Sequence, residues 1–297
     1  MNDGKCGVSR VGVPESCPNG NDVKEVIHMA ELDKQKMMDK AAEIVKMAQD
    51  KHVTMRVLGA TAFVIHCPQY RHFHDSLKRK LTDIDFAAYR KQWKPIREIF
   101  VKGLGWNEPA AYMMAVASRL IFFDPKNENL HSDIFFDKLE FCHDIPFQGI
   151  LEVDYPTLPL AELLLEKLQI VKINEKDIID VIMLMREHDV GNSDKETINA
   201  DRIAKLFSEE WGFYYTGTTN LKKVRDEHLP RYTTLTDEDR KNVTDKINSL
   251  LEKIENQPKS MGWKIRAKVG PSRKWYRDAI EEVSRGEGLE GYGEQKI

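Results

Sequence analysis

The sequence predicts an α+β chain: a small mixed sheet with helices against it, followed by a helical C-terminal domain. Three observations predict it. Short β-leaning apolar runs fall between about residues 53 and 136, apolar residues at helical spacing dominate after Pro159, and no segment repeats another. The chain thus divides into an N-terminal tail over 1–22, an α+β domain with a leading helix over 23–158, and a helical domain over 159–297 with a basic C-terminal segment.

The elements follow in order. Residues 1–22 are rich in Gly, Pro, Ser and Asn without apolar periodicity, which predicts a flexible tail. From 23 to about 50, Val26, Ile27, Met37, Met38, Ala41, Ile44, Val45 and Ala48 recur at helical spacing, giving an amphipathic helix or a broken pair. "VTMRVL" (53–58) reads as a strand that stops at Gly59, and "ATAFVIH" (60–66) as the start of a buried helix. The next strand lies in "RKLTDIDFAAY" (79–89), with an amphipathic helix near 91–102. "RLIFF" (119–123) and "HSDIFF" (131–136), joined by the polar "DPKNEN", form a β-hairpin. Beyond Pro159, helices are expected at 160–171, 175–188, and near 197–210, 217–227 and 237–254.

Composition is that of an ordinary globular chain and narrows the function classes. The 297 residues, 41% hydrophobic and 31% charged, suffice for one large or two modest cores, and a net charge of −3 exerts no overall pull toward nucleic acid or membrane. No apolar run approaches the ~18 residues of a membrane span, and the polar N-terminus has no signal-peptide core, so a cytoplasmic protein without a membrane partner is expected. Cys6, Cys17, Cys67 and Cys142 form no Cys-x-x-Cys pair and are too few to staple a chain of this size; they read as reduced thiols.

The chemistry begins with two carboxylates one residue apart. On an extended strand Asp83 and Asp85 share one face while Ile84 and Phe86 take the other. Like charges that close repel unless water or a cation reaches both. A divalent metal resolves the conflict, and magnesium fits on ligand type, since it takes hard oxygen ligands and leaves the rest to phosphate and water. An isolated Asp-x-Asp more often caps a strand end or faces solvent, so other residues must decide. The same alternation places His131 and Asp133 on one face of the hairpin, so a third carboxylate appears on a neighbouring strand.

The order of parts then resembles a known pattern. A strand ends in the small-residue turn "LGATA"; Asp-x-Asp follows on the next strand, a lone Asp on a later one, and then a helix carrying Lys with acids downstream. This resembles the nucleotidyltransferases of the DNA polymerase β-like superfamily, and more closely the branch of AbiEii-type toxins. Gly59, Ala60, Thr61 and Ala62 match the Gly-Gly-Thr-Ala motif; Arg79, Asp83 and Asp85 match the Asp-bearing motif; Lys167 matches the lysine, and Asp177 and Asp180 the paired acids, over about residues 53–190. Ala60 replaces the second glycine, and Thr82 stands directly before Asp83 instead of two before it.

The resemblance implies a polymerase β-like domain that transfers a nucleoside monophosphate from a nucleoside triphosphate to a hydroxyl. Asp83, Asp85 and Asp133 would be catalytic and would hold Mg²⁺ or Mn²⁺, with Asp133 accepting the acceptor's proton. Gly59, Ala60 and Thr61 would present N–H groups and a hydroxyl to the phosphates, and Lys167 and Arg79 would neutralise them. Asp180, flanked by Ile179, Val181 and Ile182, wants a positive partner, for which Lys167 is the candidate. Plainer readings pair Lys167 with Glu162 or Glu166 on a solvated face, and Asp177 and Asp180 with Lys176 or Arg186.

Two further clusters stand apart. The pairs His66-Cys67 and Cys142-His143, with His72, His74 and His131, offer zinc-type donors, but adjacent residues on one element rarely address one ion, and buried cysteines beside polar histidines are the expectation. "PKSMGWKIRAKVGPSRKWYR" carries seven basic residues, no acid and three aromatics. Lys264, Arg266, Lys268, Arg273, Lys274 and Trp275 are there the candidate RNA contacts, and a basic face balancing acidic helices is the rival. If RNA binds, the toxin branch implies a tRNA-like acceptor and an antitoxin protein as partner. The acceptor stays open among RNA, a protein hydroxyl and a small molecule. The alternative function is a catalytically silent module of the same fold acting through RNA or a protein partner.

Overall fold

A computed structural model describes the backbone over residues 20–76, 81–109, 119–127 and 130–278, with side chains from residue 34 onward. Arg79, Cys6 and Cys17 lie outside the described residues. The leading helix α1 (Gly20–Asp50) is continuous, and it has already begun within the stretch expected to be a tail. Its Ala41, Ile44, Val45 and Ala48 form one buried face.

A four-stranded mixed sheet follows, built from β1 (Met55–Leu58), β2 (Asp85–Ala88), β3 (Arg119–Phe123) and β4 (His131–Phe136) in the order β1-β2-β4-β3. The β2–β4 pair is parallel and the other two pairs are antiparallel, so the expected hairpin is present as β3 and β4. Between β1 and β2 run α2 (Gly59–His66) and the short α3 (His72–Ser76). The helix α2 is apolar all round and buried from Gly59 to Val64, as a helix under a sheet must be. The helix expected over 91–102 is composite: a 3₁₀ turn, α4 (Trp93–Glu98), and a π-helical turn that closes at the left-handed Gly105. A two-stranded ribbon, β5 (Lys138–Glu140) with β6 (Asp144–Pro146), flanks the sheet; its three-residue strands are too short to show alternation.

The helical part comprises α5 (Leu160–Leu168), α6 (Glu175–Glu187), α7 (Ala200–Glu209), α8 (Trp211–Lys223), α9 (Asp237–Asn256) and α10 (Met261–Val269). Two expectations need correction here. The helix placed at 197–210 starts only at Ala200, because Thr197–Asn199 forms a strand, β8, parallel to β7 (Asp189–Gly191), and the Asn199 side chain caps the helix by accepting the Arg202 N–H. The helix placed at 217–227 starts at Trp211 and carries Gly217 inside it. A Cβ at Gly217 would lie 2.2 Å from Phe207 Cζ, so this glycine permits close packing of α8 on α7 and does not break the helix.

One hydrophobic core joins these parts. It runs without interruption from Ile44 of α1 through Phe63, Phe86, Phe100 and Ile134 to Leu163, Met183, Phe207 and Ile247, so the sheet and the helices after Pro159 share it. Among the described residues no helix is long and apolar enough to cross a membrane.

Candidate functional site

A cleft of about 470 Å³ opens where β1 meets α2, and Gly59, Ala60, Asp83, Asp85, Asp133 and Lys167 line it together with Arg119, Glu166, Lys176 and Asp177. The turn at its base is dictated by geometry. Gly59 has a φ of 70°, which L side chains rarely adopt, and an added Cβ would stand 2.8 Å from Asp85 Oδ2. We expect Gly59→Ala to lower stability by about 1–3 kcal/mol, read as a reduced melting temperature, because both the left-handed backbone and the carboxylate resist the methyl group.

Strand alternation then aims the acids. Ile84 and Phe86 are fully buried beneath the sheet, whereas Asp83 and Asp85 are half-buried on the cleft side. Leu58 pairs with Asp85, so the second carboxylate faces the glycine turn. The bridge from Asp83 to His131 and the pairing of Phe86 with Ile134 keep one constant offset, which sets Asp85 beside Asp133 on adjacent parallel strands. The Thr61 hydroxyl donates to the Asp83 carbonyl at 3.2 Å and is buried, so it fixes the Asp strand and does not line the cleft. Arg119 escaped the sequence reading. It lies two residues before Ile121, the cross-strand partner of Asp133, and its Nη1 stands 3.7 Å from Asp133 Oδ2. The period-two pattern Arg119, Ile121, Phe123 was the available signal.

Below the turn lies a buried charge network. Lys167 Nζ is 3.4 Å from Glu166 Oε1, 3.4 Å from Asp177 Oδ1 and 3.2 Å from Asp180 Oδ2. The expected Lys167–Asp180 pair is therefore present. His74 Nε2 closes on Asp180 Oδ1 at 2.8 Å, both side chains being fully buried. Of the plainer alternatives, the Lys167–Glu166 pair is present but buried and not on a solvated face, whereas Glu162 is buried against Arg202 at 2.7 Å and Arg186 binds Asp239 instead of Asp177 or Asp180. Glu166 accepts the Gly59 N–H at 3.2 Å, so it holds the glycine turn from beneath.

Burial pushes the Glu166 carboxyl up from 4.5 to about 7, against the opposing pull of Lys167 and the Gly59 N–H. Between those values the folded state holds this proton more tightly than the unfolded state, so the group's contribution to stability falls as pH rises through that window. We expect Glu166→Gln to remove this decline between about pH 4.5 and 7 in melting curves measured against pH.

The histidine–cysteine pairs stay separate. His66 Nε2 lies 2.5 Å from Thr157 Oγ1, whereas His143 sits between Glu210 Oε1 at 3.2 Å and Thr216 Oγ1 at 2.9 Å. Cys67 and Cys142 are buried thiols outside any disulfide, and burial pushes the Cys67 thiol well up. Among the described residues no three His, Cys, Asp or Glu groups converge closely enough to enclose an ion. Magnesium does not require such a cage, since it is commonly held by one or two carboxylates with water and phosphate completing the shell. Asp83 and Asp85 supply hard oxygen donors of that kind at a water-accessible face.

The basic segment splits into two sets. Arg266 lies over the Trp211 ring at 4.5 Å and donates to the carbonyls of Gly270 and Arg273. Trp275 donates its indole N–H to Thr216 Oγ1 at 3.0 Å, and Lys274 pairs with Asp278. Lys264, Lys268 and Arg273 project into solvent. Compared with known proteins, the chain matches no protein-family model and no curated sequence.

Proposed function

We propose that the protein is a metal-dependent nucleotidyltransferase that moves a nucleoside monophosphate from a nucleoside triphosphate to a hydroxyl acceptor. One observation carries the reading: a single cleft gathers a glycine turn at a helix start, an Asp-x-Asp strand, a further Asp on the parallel neighbour and a lysine. The same order of parts occurs in polymerase β-like nucleotidyltransferases, and the AbiEii-type resemblance of the sequence agrees with it.

In this reading Asp83 and Asp85 hold magnesium or manganese, which would lower the charge on the reacting phosphate and the leaving pyrophosphate. Asp133 accepts the proton of the acceptor hydroxyl. The Gly59 N–H, expected at the phosphates, is instead taken by Glu166, which keeps the turn in place, so the N–H groups of Ala60 and Thr61 would face the phosphates. Lys167 tempers the acids beneath the cleft. An RNA acceptor would meet the solvent-facing Lys264, Lys268 and Arg273, while Arg266 and Trp275 hold that segment to the body.

The test is label transfer from each of the four α-³²P nucleoside triphosphates, with magnesium, to a tRNA pool, to the protein itself and to glycerol. Label in any acceptor that disappears with EDTA supports the reading. No transfer from any of the four, together with no triphosphate binding in titration, overturns it.

A further inference from the structure

We propose that, among the described residues, Arg119 is the polyphosphate-binding cation of the cleft, taking the charge expected of Lys167. The inference rests on the nucleotide reading above and follows from how the cations of the cleft are already engaged. Lys167 stands within 3.4 Å of three carboxylates, so a phosphate reaching it would meet the acids that surround it. Lys176 is exposed at the rim and strongly hydrated.

Arg119 differs from both. Its side chain is 11% exposed, and its Nε is buried with no hydrogen-bond partner among the described residues. Its contact with Asp133, at 3.7 Å, is an ion pair too long for a hydrogen bond. A buried guanidinium with unused donors in a polar cleft is costly unless an anion fills them. Its planar fork suits two phosphate oxygens, and the Phe135 ring, 5.9 Å from Cζ, backs it from one side. The ligand class is therefore a di- or triphosphate tail. The pairing with Asp133 gives the site a second property: without anion the guanidinium rests by the carboxylate, and a polyphosphate competes with that carboxylate for it.

The test is calorimetric titration of inorganic pyrophosphate and of inorganic phosphate into the full chain in EDTA and in magnesium. Arg119→Gln should weaken pyrophosphate binding by about 10- to 100-fold, and Arg119→Lys should restore only part of it, since lysine offers a point charge. Asp133→Asn should tighten pyrophosphate binding in EDTA, and that gain should vanish in the Arg119→Gln background. Unchanged affinity in Arg119→Gln, or an equal gain from Asp133→Asn with and without Arg119, overturns the assignment. The two readings fail separately. Arg119-dependent pyrophosphate binding without any nucleotide transfer would leave the anion site standing and remove the transferase. Transfer with pyrophosphate affinity independent of Arg119 would do the reverse.

Discussion

On the proposed reading, we expect Asp85→Asn to lower nucleotidyl transfer by at least about 10²–10³-fold while the melting temperature stays near that of the unaltered protein. Asp85 presses its carboxylate toward the glycine turn and stands beside Asp133, so it faces both the phosphate and the metal position of the proposed reaction. Its half-exposed side chain leaves the core intact, because the packing of β2 is carried by Phe86, Ala87 and Ala88. Parallel label-transfer and thermal-melting measurements check both halves. Near-normal turnover in the variant would remove Asp85 from the chemistry, and a collapse in melting temperature would assign it a folding role.

We expect Lys167→Met to destabilise the fold by about 3–5 kcal/mol, the cost of leaving buried carboxylates without their cation. Glu166, Asp177 and Asp180 share that one ammonium, with the Gly59 N–H also on Glu166 and His74 also on the fully buried Asp180. Urea unfolding measures the loss, and the double variant Lys167→Met with Glu166→Gln should recover part of it by removing one of the stranded charges. A loss below about 1 kcal/mol would show that water or protonation already satisfies the acids. The sequence cast Lys167 as a cation that neutralises the phosphates; the carboxylates around it move the main expected effect of its loss to stability.

The strand register explains what could be read in advance. Alternation at Asp83, Ile84, Asp85 and Phe86 is a local property of an extended chain, and Gly59 marks its own turn, so both were legible. Asp180 amid apolar neighbours also announced a buried partner. The structural roles of Arg266 and Trp275 were hidden, because the residues that hold them, Trp211 and Thr216, lie on a helix whose start the sequence masks with glycine. Arg119 was within reach through the period-two run Arg119, Ile121, Phe123 and the expected hairpin, but only the register, Ile121 opposite Asp133, sets it beside the third carboxylate. The β5–β6 and β7–β8 ribbons were invisible for a different reason: three residues give too little periodicity to separate strand from loop.

The chain's last described residues have a consequence for synthesis. Arg277 donates its backbone N–H to the Cys142 carbonyl at 3.1 Å, and its guanidinium bonds Phe141 O, 136 residues earlier, and pairs with Asp144 and Glu140. Leu139 and Phe141 of that ribbon are also part of the cleft wall. A ribosome emits the ribbon long before the arginine that fastens it. Leu139, Ile145 and Phe147 already seat the ribbon in the core, so a nascent chain halted short of residue 277 carries the acids and the wall of the cleft and lacks only the outer ties from Arg277.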